Sequence, residues 1–149
     1  MNNNQEDQQP MISANGQLIK GLSFIREEII LDNPNENTQP KIEIALNINN
    51  KILKEDVYEV TLKIIAKALL NERELFNIEL DYAGIFTIKN FLPEQQEQVL
   101  SIHCPTLIFP FARRVLADIT REAGFLPFML DPIDFANLYK QKKEQTIGN

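Results

Sequence analysis

The sequence holds one cysteine, one histidine and five glycines. A lone Cys104 cannot form an internal disulfide, so the fold has to rest on packing. His103 precedes it directly, and adjacent residues on a helix point about 100° apart, a poor arrangement for a hydrogen-bonded nucleophile and base. One His and one Cys also cannot supply the three or four soft ligands of a zinc site. No phosphate-cradling glycine motif is present, which argues against ATP use. No apolar run approaches the roughly 20 residues that a membrane helix needs. Met1 to Gln9 are rich in Asn and Gln, with Glu6 and Asp7, and lack the basic and apolar regions of a secretory signal. Basic residues are few as well: 15 against 21 acids, a net charge of −6, which argues against nucleic acid as a partner. These absences point to a cytoplasmic protein that is not an enzyme, needs no cofactor or metal and does not insert into membranes.

What is present is a folded composition, 44% hydrophobic and 24% charged over 149 residues, enough for one domain without internal repeats. Residues 1–17 read as a flexible polar tail, 18–143 as the domain and 144–149 as a second flexible tail. From Leu18 a strand pattern begins, with Leu22 and Phe24 alternating with Gly21, Ser23 and Ile25. The turn-rich stretch Asp32 to Pro40 is expected to be a loop. Then Ile42, Ile44, Leu46 and Ile48 share one strand face, opposite Lys41, Glu43, Ala45 and Asn47. A turn is expected at Asn49-Asn50-Lys51, followed by a strand with Tyr58, Val60, Leu62 and Ile64 on its apolar side. Past a turn at Asn71-Glu72-Arg73, Phe76, Ile78, Leu80 and Tyr82 oppose Asn77, Glu79 and Asp81. Ala83-Gly84 is expected to break this strand before Ile85 to Ile88.

The period changes at Pro93, where acids open a helix. Pro105 and Pro110 predict a kink or restart. Ile108, Phe111, Ala112, Val115, Leu116 and Ile119 fall on one arc, and Gly124 is a stop signal. A last helix is expected from Asp131-Pro132-Ile133-Asp134, with Phe135, Leu138 and Tyr139 as its stripe. Strands first and helices second make an α+β fold: a four-stranded antiparallel sheet, then a long kinked helix and a shorter C-terminal helix. So few elements leave faces and edges uncovered, which predicts self-association through helix stripes and sheet edges.

Four ordered blocks now carry a resemblance. Asp56-Val57-Tyr58-Glu59-Val60, Ala83-Gly84-Ile85-Phe86, Cys104 to Arg113 (Cys-Pro-Thr-Leu-Ile-Phe-Pro-Phe-Ala-Arg) and Pro132 to Tyr139 closely resemble segments of SecB, the bacterial protein-export chaperone. The resemblance runs from about Leu18 to Lys143. It implies a homotetramer built as a dimer of dimers, an oligomer with helices packed between sheets. It also implies ATP-independent holding of unfolded precursor proteins, kept translocation-competent and delivered to the SecA motor.

A holder of unfolded chains needs apolar grooves rather than a tailored pocket. The residues nominated to line one are Ile42, Ile44, Leu46, Ile48, Phe128, Phe135, Leu138 and Tyr139, any of which could instead be core. The connector Phe125 to Leu130 is a further candidate. In the resembled family SecA binds an acidic outer sheet face. Here Glu79 and Asp81 match that strand, while the acidic first-strand positions fall on Gly21 and Ile25, with Glu27 and Glu28 beyond them as substitutes. Phe76, Ile78, Tyr82, Ile108, Phe111, Val115 and Ile119 are expected in helix support and oligomer packing. A different non-enzymatic reading is an adaptor or antitoxin-type chaperone with one dedicated partner.

Overall fold

The computed structural model describes residues 8–27 and 40–147. Four long strands, β1 (Met11–Arg26), β2 (Lys41–Lys54), β3 (Val57–Leu70) and β4 (Arg73–Lys89), form one antiparallel sheet in the order β1-β4-β3-β2. β1 starts at Met11, so part of the stretch expected to be a flexible tail pairs with β4. Register shifts between Ala14 and Gly16 and between Ile19 and Gly21 hide this in the sequence, because each bulged residue resets the alternation.

Asn49 to Lys51 lie inside β2 rather than in a turn; their polarity suits an exposed edge strand. The β2–β3 turn is Glu55-Asp56, with Asp56 at φ 63°. The β3–β4 turn is Asn71-Glu72, at φ 50° and 67°, the left-handed pair whose twist matches a tight hairpin. Ala83-Gly84 does not break β4. A Cβ on Gly84 would lie 2.5 Å from the Phe86 ring and 2.8 Å from Ile108, so glycine is there for close packing.

Alternation puts Val60, Leu62 and Ile64 of β3 with Ile78, Leu80 and Phe86 of β4 on one fully buried face. The long helix covers it. Helix α1 (Pro93–Gln98), a π turn (Val99–His103) and α2 (Cys104–Glu122) run as one 30-residue helix. Pro110 sits inside α2 without interrupting it. The irregularity instead falls just ahead of Pro105, whose ring crowds the preceding turn and whose nitrogen cannot donate. Widening that turn relieves the crowding: the Cys104 N–H donates to the Val99 carbonyl. By length and apolarity this helix could span a bilayer, which run-by-run reading missed. Its apolar arc is used otherwise, with Cys104, Ile108, Ala112 and Leu116 all buried against β3 and β4.

At the end of α2, Gly124 takes φ 92°. There Arg26 donates to the Ala123 carbonyl, and its guanidinium lies 4.3 Å from the centre of the Phe125 ring. Phe125 packs on Phe76, and Phe76 on Phe24, at 5.0 and 5.7 Å between ring centres. Helix α3 (Phe135–Ile147) begins later than expected. Its cap is Asp134, whose Oδ1 accepts the Asn137 N–H at 3.0 Å; Asp131 and Pro132 stay outside. It also runs past Lys143, so residues 144–147 continue the helix instead of a tail.

Candidate functional site

β2 is an edge strand, and α3 lies alongside its helix-facing side. Between them is a groove of about 390 Å³. β2 supplies Ile48 and Asn50, α1 supplies Glu97, the π turn supplies Ser101, and α3 supplies Leu138, Tyr139, Lys142 and Lys143. Positions 135, 138, 139 and 142 follow helical spacing, so one face of α3 anchors and lines together. Phe135 is the anchor, 2% exposed and edge-on to Phe109 at 5.9 Å. Leu138 and Tyr139 stay half-buried in the groove wall.

Of the eight residues nominated as groove lining, Ile48, Leu138 and Tyr139 are brought together here. Ile42 and Leu46 continue the strand face, partly buried on the core, and Ile44 remains 43% exposed. Phe135 belongs to the core. Phe128 belongs to the connector, its N–H donating to the Thr120 hydroxyl at 2.8 Å. Leu126 and Met129 of that connector point outward, 90% and 57% exposed.

The polar members of the groove were missed. Lys142 and Lys143 were legible from the spacing of α3; Glu97 comes from α1, and Ser101 lies in the π turn itself. The Lys143 ammonium lies 5.4 Å from the Tyr139 ring centre. The Tyr139 hydroxyl above all, with Glu97 and Glu94 beyond it, raises the pKa of Lys143 and favours its charged form. The groove therefore has apolar walls and a mixed-charge rim.

The outer sheet face is less acidic than expected. Glu79 is exposed, paired across strands with Ile65 and Ser23. Asp81 sits opposite Lys63, in a depression it shares with Lys20, Lys51 and Glu59. Lys20 reaches over β4 to Glu59 at 2.5 Å, and that bond foremost lowers the Glu59 pKa. Glu27 continues β1 by donating its N–H to the Leu75 carbonyl, about 13 Å along the strand from Ser23 at 3.3 Å per residue, so it does not stand beside Glu79. Glu28 lies outside the described residues.

Phe76, Ile78, Tyr82 and Ile108 are all at most 8% exposed, in the chain's own core, so in a single chain they cannot meet a partner. Val115 and Ile119 are half-buried. Phe111, 48% exposed beside Leu107, is the surface member of that set. Cys104 is fully buried, and burial pushes its thiol up to about 12, the opposite of an activated nucleophile. Among the described residues no group of three or more His, Cys, Asp or Glu could hold a metal.

Comparison with known proteins places this architecture. Residues 5–146 match the family model described as preprotein translocase subunit SecB. The protein-export protein SecB of Rickettsia bellii is 42% identical over 97% of this chain and 96% of its own length. That of Zymomonas mobilis is 44% identical over 93% of this chain and 84% of its own. A SecB-like chaperone of Mycobacterium tuberculosis, solved with a peptide from an antitoxin, shares the fold at a TM-score of 0.67 and 9% identity. It covers 82% of this chain and 90% of its own. With nearly its whole length matched, the chain belongs to the SecB family, whose members are protein-export chaperones rather than enzymes.

Proposed function

We propose that this protein holds unfolded precursor proteins in the groove between β2 and α3, without nucleotide, and passes them to SecA in a translocation-competent state. The observation that carries the proposal is a half-buried apolar channel beside a strand edge that pairs with no other strand among the described residues. Such a channel suits segments that expose both apolar side chains and backbone. Each buried methylene contributes roughly 0.8 kcal/mol, so several partial contacts hold a client that no single contact traps. We further propose a cytoplasmic homotetramer, a dimer of dimers, in which Phe111 and Leu107 meet a second copy. Glu79, with Asp81, the more distant Glu27, and Glu28, which lies outside the described residues, is the proposed SecA-facing surface. At −6 per chain, the assembly draws basic clients at long range, an attraction that salt weakens.

The test is a double variant, Leu138→Asp with Tyr139→Asp. It should remain folded and oligomeric yet lose suppression of client aggregation; normal suppression would show that clients bind elsewhere. Release of the held precursor on adding SecA checks the handover. The reading of a dedicated adaptor is favoured by one observation, the antitoxin peptide bound by the Mycobacterium tuberculosis relative of this fold. Competition among unrelated unfolded proteins separates the two, since an adaptor would ignore all but one.

A further inference from the structure

The direction of backbone groups at the free edge of β2 follows from two hydrogen bonds. The Ile88 N–H donates to the Asp56 carbonyl at 2.8 Å, which turns the even-numbered residues at that end of β4 toward β3. The β3–β4 register carries this parity along β3 without a shift as far as Ala68. Even residues of β3 therefore bond to β4 and odd ones to β2. Through the β2–β3 register, the odd residues of β2 are held by β3. The even ones, Ile42, Ile44, Leu46, Ile48 and Asn50, turn their N–H and C=O outward. The Ile48 N–H agrees independently: its acceptor is the side-chain Oδ1 of Asn47, at 3.1 Å, rather than a strand.

The residues whose backbone groups point away from every described strand are thus the ones whose side chains face the groove. Resting on the reading that unfolded clients occupy this groove, we propose that an extended client segment adds to β2 as a fifth strand between Ile44 and Asn50, displacing the Asn47 carboxamide from Ile48. A strand in that position drops every second side chain onto the face of Leu46 and Ile48 and into the groove against Leu138 and Tyr139. Asn47 is a removable cap. With no client bound it satisfies a donor at the edge and blunts pairing with other chains. When a client arrives, its carbonyl replaces the carboxamide oxygen, so the number of hydrogen bonds to Ile48 is unchanged and release stays easy.

The experiment uses the full-length protein and a fluorescein-labelled peptide of alternating leucine and glutamine, about twelve residues, enough to span β2 at 3.3 Å per residue. Alternation fixes which side chains enter the groove. Two further peptides carry N-methyl groups on the leucine amides or on the glutamine amides. One of the two should bind at least about tenfold more weakly and the other nearly as well as the parent, because only one set of amides faces β2. Asn47→Ala should bind the parent peptide about fivefold more tightly. Equal binding of all three peptides, or equal losses from both methylated ones, overturns strand addition while leaving the groove in place. Failure of the parent peptide to bind overturns both readings. Unchanged or weaker binding by Asn47→Ala overturns the cap. A larger assembly of that variant without peptide would show that a second copy, not a client, takes the edge.

Discussion

Gly84 and Cys104 show how tightly single positions are specified where α2 meets the sheet. Gly84 looked like a strand breaker, since the sequence does not reveal that Ile108 and Phe86 close over it. Gly84→Ala should cost about 1–3 kcal/mol by overpacking, read as a lower urea midpoint with an unchanged slope. Cys104 next to His103 raised the question of catalysis, and the structure answers it through burial. With the folded thiol at about 12 against an ordinary value of 9.0, the unfolded chain loses its proton first as pH rises. Stability should be intact below about pH 9 and fall between there and pH 12. Cys104→Ala should lack that part of the alkaline loss in denaturation profiles, and thiol reagents should reach the native protein only as fast as it opens.

Among the elements, the β3–β4 hairpin was legible, because period-two alternation and the Asn71-Glu72 turn act over a few residues, whereas the β2–β3 turn was expected at Asn49 to Lys51 and lies at Glu55-Asp56. The start of β1 was not legible, since its bulges at Asn15 and Lys20 answer to β4 and not to local pattern. Proline told the truth about strain and misled about place: Pro105 is relieved by the π turn before it, and Pro110 is simply carried within α2. That turn brings Ser101 to the groove, which no periodicity could indicate. The connector after α2 depends on one buried hydroxyl. Thr120 donates back to Leu116 and accepts from Phe128, so it holds Leu126 and Met129 outward. Thr120→Val keeps the volume and removes the acceptor, leaving the Phe128 N–H without its partner. The cost should be about 1–3 kcal/mol, with faster hydrogen exchange at Phe128 than elsewhere in the connector.

For the whole molecule, the described residues form a sheet with one helical layer, and among them nothing covers its other face or the outer edges of β1 and β2, while α2 turns Leu107 and Phe111 outward. Phe111→Glu should shift native mass spectra toward smaller assemblies while leaving the circular dichroism of the protomer unchanged. A variant that assembles as before would place the contact elsewhere.

The amino-acid order by itself determined the fold class, most strand faces, the apolar arc of α2 and the family, because these depend on short-range periodicity and on blocks of adjacent residues. Only the tertiary structure decided which apolar residues are core and which line a groove. Phe135 and Leu138 are indistinguishable in a helical stripe, and just the packing of Phe109 against one of them separates the two. It also decided which backbone amides of β2 face outward, since strand order and register are set by partners distant in the chain.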